Sequence, residues 1–387
     1  MIAFWVACLG LAVIGLPEGS LGVAWPSIRI GFGLSESTFG LILMCMAAGT
    51  FCAGLVSGHL LELRGPRRVL CAAAACAACA LCVIAVSPSV LVLCAGALLL
   101  GLGLGTIDSA LNATAALSFD ARRINWIHGC YGLGAMAGPL AMTAIIVWSG
   151  QSWRVGYICL ALVLACASLL FARRAAISIP AHREEKGRRG AWNAARHPLV
   201  QLQVVLFFIY TGVEVLLGQW SYSILTSARG IPDGVAGLCT GAYWGSLAAG
   251  RFVLGAAIDA FGADRLLRCS TIAIVVGSLV FAFANGIWAA VGLILAGLAL
   301  SPVFPTLMAR APERLGRSVA LHAIGFKVSA AMVGGAVVPA IGGLLADAAG
   351  LNTISWCAVG GACALLMLHE ALLGAPTSGN RDGAGTT

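Results

Sequence analysis

Long apolar runs alternate with short polar breaks along almost the whole chain, and each run has the length a bilayer demands, roughly 20 residues of helix. The runs fall near 2–26, 36–61, 69–86, 89–115, 125–148 and 153–172, then near 198–226, 234–258, 265–284, 288–309, 318–346 and 353–373. Six and six helical spans are predicted. Nearly every position within a run is apolar, so periodicity does not tell which face of each helix turns inward. The one long polar stretch is RRAAISIPAHREEKGRRGAWNAARH at 173–197. It separates an N-terminal six-helix bundle (1–172) from a C-terminal one (198–373), which is followed by a tail (374–387) expected to be disordered. The first run lacks a basic leader and carries Glu18, which marks a retained helix rather than a cleaved signal.

Composition fixes the class. Hydrophobic residues make up 60% of the chain and charged ones 10%, with mean hydropathy +0.96; a soluble domain carries about 25% charged residues. The fifteen cysteines do not suggest a disulfide framework, because Cys71, Cys76, Cys79, Cys82 and Cys94 lie inside apolar runs, where thiols act as small hydrophobes. The net charge of +8 does not point to nucleic acid either. Of the Lys and Arg residues, eighteen fall in the even-numbered hairpins, the linker and the tail, and only Arg29, Arg154 and Arg229 fall in the odd-numbered hairpins. This asymmetry places both termini and the linker in the cytoplasm of a plasma (bacterial inner) membrane.

One short pattern occurs twice. Gly58, Glu62, Gly65 and Arg68 in GHLLELRGPRR match Gly255, Asp259, Gly262 and Arg265 in GAAIDAFGADR, 197 residues further on. Each copy forces two membrane helices to turn back almost at once, with glycines allowing close backbone approach. Other features repeat as well. Glu18 and Gly22 correspond to Glu214 and Gly218, both 196 apart, and the stretch Gly134 to Pro139 corresponds to Gly334 to Pro339. Repetition at half-chain separation is a mark of transporters.

Twelve spans, a basic central loop and the duplicated G-x-x-x-[DE]-x-x-G-x-x-R turn resemble the major facilitator superfamily of secondary transporters, over essentially the whole chain. The family's usual first-half turn has Asp where this chain has Glu62, which keeps the carboxylate. PEGSLGVAWPSI, IDSALNATAA, IHGCYGLGAMAGP, YTGVEVLLGQW and SPVFPTLM are similar to the fucose permease-like branch. The resemblance implies an all-α fold of two pseudo-symmetric six-helix bundles around a central cavity lined by the first, fourth, seventh and tenth helices. It also implies an essential carboxylate on the fourth helix, the place of Asp108, and a gate built from the duplicated turns.

Ionisable residues inside spans cost about 2.5 to 3.5 kcal/mol each and usually face a cavity or a partner. They are Glu18, Asp108, Glu214, Arg251 and Lys327. Asp108 is the leading proton carrier; Asn112, one turn on, shares its face and is suited to a sugar hydroxyl. Glu18 and Glu214 are further proton-coupling candidates, either facing the cavity or hydrated near the outer interface. Lys327 has three readings: a partner for a carboxylate, an attractor of an anionic substrate, or a snorkelling side chain. His128 and His322 open the fifth and eleventh spans as proton shuttles or interfacial hydrogen-bonders. Trp220 and Trp244 are candidates for stacking on a sugar face, whereas Trp25, near a helix end, reads as part of the interfacial belt. Arg251 is expected at the cytoplasmic end of the eighth span, bridging to an acid or carbonyl of the other bundle, with Asp259 and Arg68 in the same gate.

The expected function is proton-coupled symport of a small, sugar-type solute, with an exporter of drugs or metabolites and a non-transporting sensor as alternatives. No Gly-x-x-x-x-Gly-Lys run is present to cradle nucleotide phosphates, so a gradient supplies the energy. No cofactor, metal or enzymatic site is expected, and the partners are a small-molecule substrate, protons and lipid, with the chain acting as a monomer.

Overall fold

The structure, a computed structural model, describes residues 2–119, 121–174, 192 and 194–375; within these, the side chains of 2, 3, 116, 117, 121, 122, 125, 174, 254–260, 317, 318 and 321 are not described. Twelve helical spans are present among the described residues, the tenth of them in two pieces. The first bundle holds α1 (Ile2–Phe32), α2 (37–64), α3 (66–86), α4 (Val90–Ser118), α5 (Ala121–Thr143) and α6 (Trp153–Arg174). The second holds α7 (Pro198–Ser223), α8 (Asp233–Phe261), α9 (Ala263–Phe283), α10 (Ile287–Leu300), α11 (Arg317–Ala349) and α12 (Asn352–Gly374). Both α5 and α7 end in a π-helical turn, Ala144–Trp148 and Ile224–Ala228. The predicted span at 288–309 is not one helix. It breaks at Ser301 and Pro302, resumes as Val303–Ala309 and is followed by the single turn Ala311–Leu315.

The duplicated turn has one backbone cause. α2 and α3 form a nearly continuous helical run, Ser37–Val86, interrupted only at Gly65 with φ 73° and ψ 157°. Gly262 takes nearly the same conformation, φ 77° and ψ 142°, between α8 and α9. A side chain at either site would strain the left-handed backbone.

Helices in lipid gain little from hiding apolar surface from each other, so close van der Waals packing decides where they touch. Glycine sets those contacts, and it does so twice. A methyl group added at Gly134 would collide with the Ala12 carbonyl, and one at Gly334 with the Phe208 carbonyl, so α5 rides on α1 as α11 rides on α7. Likewise Gly101 abuts the Met46 carbonyl and Gly297 the Tyr243 carbonyl, pairing α4 with α2 and α10 with α8. The two bundles therefore share one packing plan.

The helix termini define two faces. Exposed Trp5, Trp126 and Trp192 lie at helix starts on the face that carries the basic loops, and exposed Trp148, Trp288 and Trp356 lie at helix ends on the opposite face. These are the amphipathic rings expected at headgroup level. Trp25 is not among them. It is fully buried, because α1 continues past the expected end at 26 to Phe32 and carries the ring inside the protein. On the opposite face the sparse arginines are all engaged. Arg154 donates to the carbonyls of Ala85 and Ser87 (2.6 and 2.9 Å) at the end of α3, and Arg229 donates to that of Ala284 (3.2 Å) at the end of α9. Each satisfies orphan carbonyls at a helix C-terminus.

Packing separates tolerant from intolerant glycines. Gly134→Val is expected to abolish monodisperse folded protein, whereas Gly54→Val, which faces open space, leaves the yield within about twofold and the apparent Tm nearly unchanged. Size-exclusion profiles and thermal unfolding of the two variants check this.

Candidate functional site

Four of the five ionisable residues predicted inside spans converge on one layer between the bundles. Glu18 and Glu214 each lie sixteen residues into their helices (18 minus 2, 214 minus 198), about 24 Å from the basic end at 1.5 Å per residue. Asp108 and Arg251 each lie eighteen residues into helices that start on the opposite face (108 minus 90, 251 minus 233). Arg251 is thus not at the end of its span as the sequence reading expected; ten further residues of α8 follow it.

Polar groups link these residues. Tyr131 on α5 donates to the Glu18 carboxylate (Oε2, 2.6 Å), and Asp108 lies close enough to act electrostatically on the same carboxylate. Asn112 donates to Asp108 Oδ1 (2.9 Å), so the turn-apart pair read from the sequence does share a face. Glu214 is buried on α7; it accepts from the Tyr210 hydroxyl, and its backbone carbonyl accepts from Tyr243 (2.7 Å). Arg251 Nη2 stands 3.7 Å from Glu214 Oε1, while Nη1 donates to the His128 carbonyl in the other bundle (3.4 Å). It therefore ties α8 to α7 and to α5.

Two opposite charges at this separation attract by about 4 kcal/mol at an effective dielectric near 20, the same order as the cost of desolvating them. Three carboxylates and one guanidinium share this layer, and among the described residues only Glu214 lies within ion-pair distance of the guanidinium. Glu18, Asp108, Asn112, Tyr131 and Arg251 all keep partial exposure although they sit between helices, so they border an interior space.

The fifth residue, Lys327, stands apart. It is fully buried on α11, where Nζ donates to Gln203 Oε1 (3.1 Å) and the Leu307 carbonyl (3.3 Å) and lies 5.1 Å from the centre of the Phe207 ring. No carboxylate among the described residues lies within ion-pair distance of it. Of the three readings, pairing with an acid and snorkelling to the surface are not what the structure shows. The ammonium braces α7, α11 and the short helix Val303–Ala309, acting on the last turn of the latter as a C-terminal cation does.

The tryptophans close one end of the site. Trp25 stacks on Phe39 (4.9 Å, 9°), which meets Trp220 edge-on (4.9 Å, 77°), and Trp220 Nε1 donates to the Pro339 carbonyl (3.0 Å). Trp220 is completely buried and presents no free face for a solute here, and Trp244 is buried against Gly218. Gln219 crosses between bundles to donate to the Glu18 carbonyl (2.9 Å). Away from the basic loops α2 and α11 touch, Gly40 on Ala340 and Gly343 on Glu36 and Ser37. Towards the basic loops Gly54, Gly58 and Gly325 face open space, and a groove of about 640 Å³ runs between α7 and α11 along Val204, Phe208, Phe326 and Ala330. Phe326, Ala330 and Val333 continue the stripe that carries Ala340 and Gly343 against α2 higher up. On the other flank α5 and α8 stay together as far as Gly129 and Phe252.

The remaining predicted residues lie near the basic face. Glu62, Arg68 and Arg265 are exposed and make no ion pair among the described residues, Gly65 and Gly262 form the turns, and the side chains of Gly255 and Asp259 fall outside the described residues. His128 and His322 are half-buried, and His128 serves Arg251 through its backbone carbonyl rather than its ring. Sequence reasoning missed Tyr131, Tyr210 and Tyr243. Tyr210 was readable, four residues before Glu214 on one helix face; the other two become visible only once the helices are assembled.

A fold of two six-helix bundles with a charged layer between them belongs to a membrane transporter, and comparison agrees. The family description Major Facilitator Superfamily matches residues 7–224 and again 202–385, and the chain belongs to this family. It is 22% identical over 392 residues to the Bypass of stop codon protein 6 of Saccharomyces cerevisiae, covering 90% of this chain and 78% of that protein. It is 25% identical over 352 residues to a glucose/galactose transporter of Brucella abortus, covering 84% and 83%. Among solved structures it overlays on the nucleoside transporter NupG with TM-score 0.77 at 12% identity, covering 97% of this chain and 99% of that one. The Escherichia coli fucose:proton symporter FucP gives 0.67 at 18%, covering 96% and 98%. At these identities the structural likeness establishes the fold.

Removing one partner of the buried pair leaves the other charge uncompensated, at a cost of about 3 to 5 kcal/mol. Arg251→Gln is therefore expected to lower the apparent Tm by several degrees, and the double variant Arg251→Gln with Glu214→Gln to recover most of the loss. Thermal unfolding in one detergent across the single and double variants checks the coupling.

Proposed function

We propose that this transporter carries a small, sugar-type polar solute by alternating access, coupled to protons in symport. The observation that carries the reading is the layer of Glu18, Asp108 and Glu214 with a single arginine between the bundles. Such a layer takes up positive charge when it is sealed from water and releases it when it opens. Asp108 and Glu18 are the proton carriers in this reading. Asn112 is the hydroxyl reader, and Arg251 stays paired with Glu214 until a proton or a solute displaces it. The names of the Brucella glucose/galactose transporter and of the fucose:proton symporter support a hydroxyl-rich solute.

The basic face is assigned to the cytoplasm by the distribution of Lys and Arg, in a bacterial inner membrane, with residues 173–197 as a cytoplasmic connection and a monomer as the working unit. The duplicated turns form the gate on that face. Lys327 acts as a brace rather than a solute contact.

Purified protein in proteoliposomes, given an inward proton gradient and a panel of labelled hexoses, deoxyhexoses and nucleosides, tests the reading. Accumulation of a panel member that collapses with a protonophore is expected. Asp108→Asn should retain exchange of that solute across equal concentrations while losing more than about 90% of gradient-driven accumulation, because a fixed neutral group still binds but no longer carries the proton. Accumulation by Asp108→Asn equal to the unsubstituted protein would remove the residue from coupling, and outward pumping driven by the same gradient would replace symport with export.

A further inference from the structure

The helix α2 begins without a cap of its own. Glu36, the residue ahead of its first turn, directs its carboxylate elsewhere: Oε2 accepts from Trp25 Nε1 (2.7 Å) and Oε1 pairs with Arg29 Nε (3.2 Å). The leading amides of a helix lack acceptors within it and need them from outside. Here they come from the other bundle. Asp347 of α11 accepts from the Glu36 N–H through Oδ1 (2.7 Å) and from the Ser37 N–H through Oδ2 (2.9 Å).

For α11 itself Asp347 is misplaced, since it lies in the last turn, where the helix dipole disfavours an anion. Its favourable contacts are all with the start of α2, where an anion is wanted. Beneath it the same two helices are closed by Gly40 on Ala340 and by the Phe39 and Trp220 rings. Further along, the same stripe of α11 is uncovered. A cap supplied across a moving interface exists in one state and is lost in the other.

We infer that Asp347 is a latch for the face opposite the basic loops, a helix cap lent by the second bundle to the first that stabilises the closed form of that face. This needs only that the two bundles move relative to each other; it does not depend on which solute is carried or on protons. Charged groups facing the latch are Arg29 and Glu36, both on the first bundle and paired with each other.

Hydrogen–deuterium exchange of the full chain in lipid nanodiscs tests the latch, using Asp347→Ala and the isosteric Asp347→Asn. Loss of a cap shifts such an equilibrium by about tenfold. Faster exchange by about that factor is expected in Asp347→Ala at 38–42 and 337–345, together with slower exchange at 51–60 and 324–333 as the basic face closes. Asp347→Asn, which keeps one acceptor oxygen but no charge, should fall between, and carries the test if the alanine variant does not fold. Acceleration confined to the first turn of α2, with 51–60 and 324–333 unchanged, would show a local cap and overturn the latch. So would unchanged exchange throughout.

Discussion

The ion pair between Arg251 and Glu214 is the constraint around which the rest is arranged. A guanidinium largely withdrawn from water needs protein partners, so α8 has to lie where it meets both the Glu214 carboxylate of α7 and the His128 carbonyl of α5. That position sets Tyr131 and Tyr210 against the two equivalent glutamates. The duplicated backbone thus holds a non-duplicated charge. Glu18 and Glu214 occupy corresponding places, yet only one has an arginine beside it, and the asymmetry allows the two halves of a symmetric scaffold to do different work.

Most of the scaffold was legible from residues because bilayer thickness dictates run length and because the repeat doubles every signal. The repeat of Glu18 in Glu214, and of the Gly134–Pro139 stretch in Gly334–Pro339, already said which helices correspond. Helix rotation was not legible. In runs where nearly all positions are apolar, nothing marks the inward face, and so the meeting of Arg251 with Glu214 and the isolation of Lys327 from any described acid emerged only with coordinates. Trp25 was misread for a different reason. Its closeness to the end of the apolar run suggested an interface, but the helix continues through Pro26 to Phe32, and the residue lies about two turns in from the helix end. The break in α10 also escaped notice, although Pro302 and Pro305 stand in SPVFPTLM; proline restricts the residue before it and removes a backbone donor.

Tryptophan illustrates how one residue type serves two ends in such a protein. Six of the ten are exposed at helix ends, where an amphipathic ring suits the headgroup region, and four are buried. Trp25 and Trp220, buried, close the path between the bundles with Phe39, and each spends its N–H on a protein acceptor, Glu36 or the Pro339 carbonyl. These two rings satisfy their N–H groups with protein and so have no need of water in that part of the path.

The spacing between equivalent residues is not constant, and the change has a place. Gly101 and Gly297 are 196 apart, whereas Gly134 and Gly334 are 200 apart. The second half has therefore gained four residues, close to one helical turn, which returns the chain to nearly the same phase. The single turn Ala311–Leu315 sits in that interval. Its flanking and internal arginines grip the rest of the bundle: Arg310 and Arg314 both reach Asp264 at the start of α9, and Arg314 also donates to the Leu372 carbonyl on α12 (2.8 Å). An extra turn has become a clasp joining three separate parts of the second bundle, which stiffens that end of the bundle against sliding of its own helices past one another.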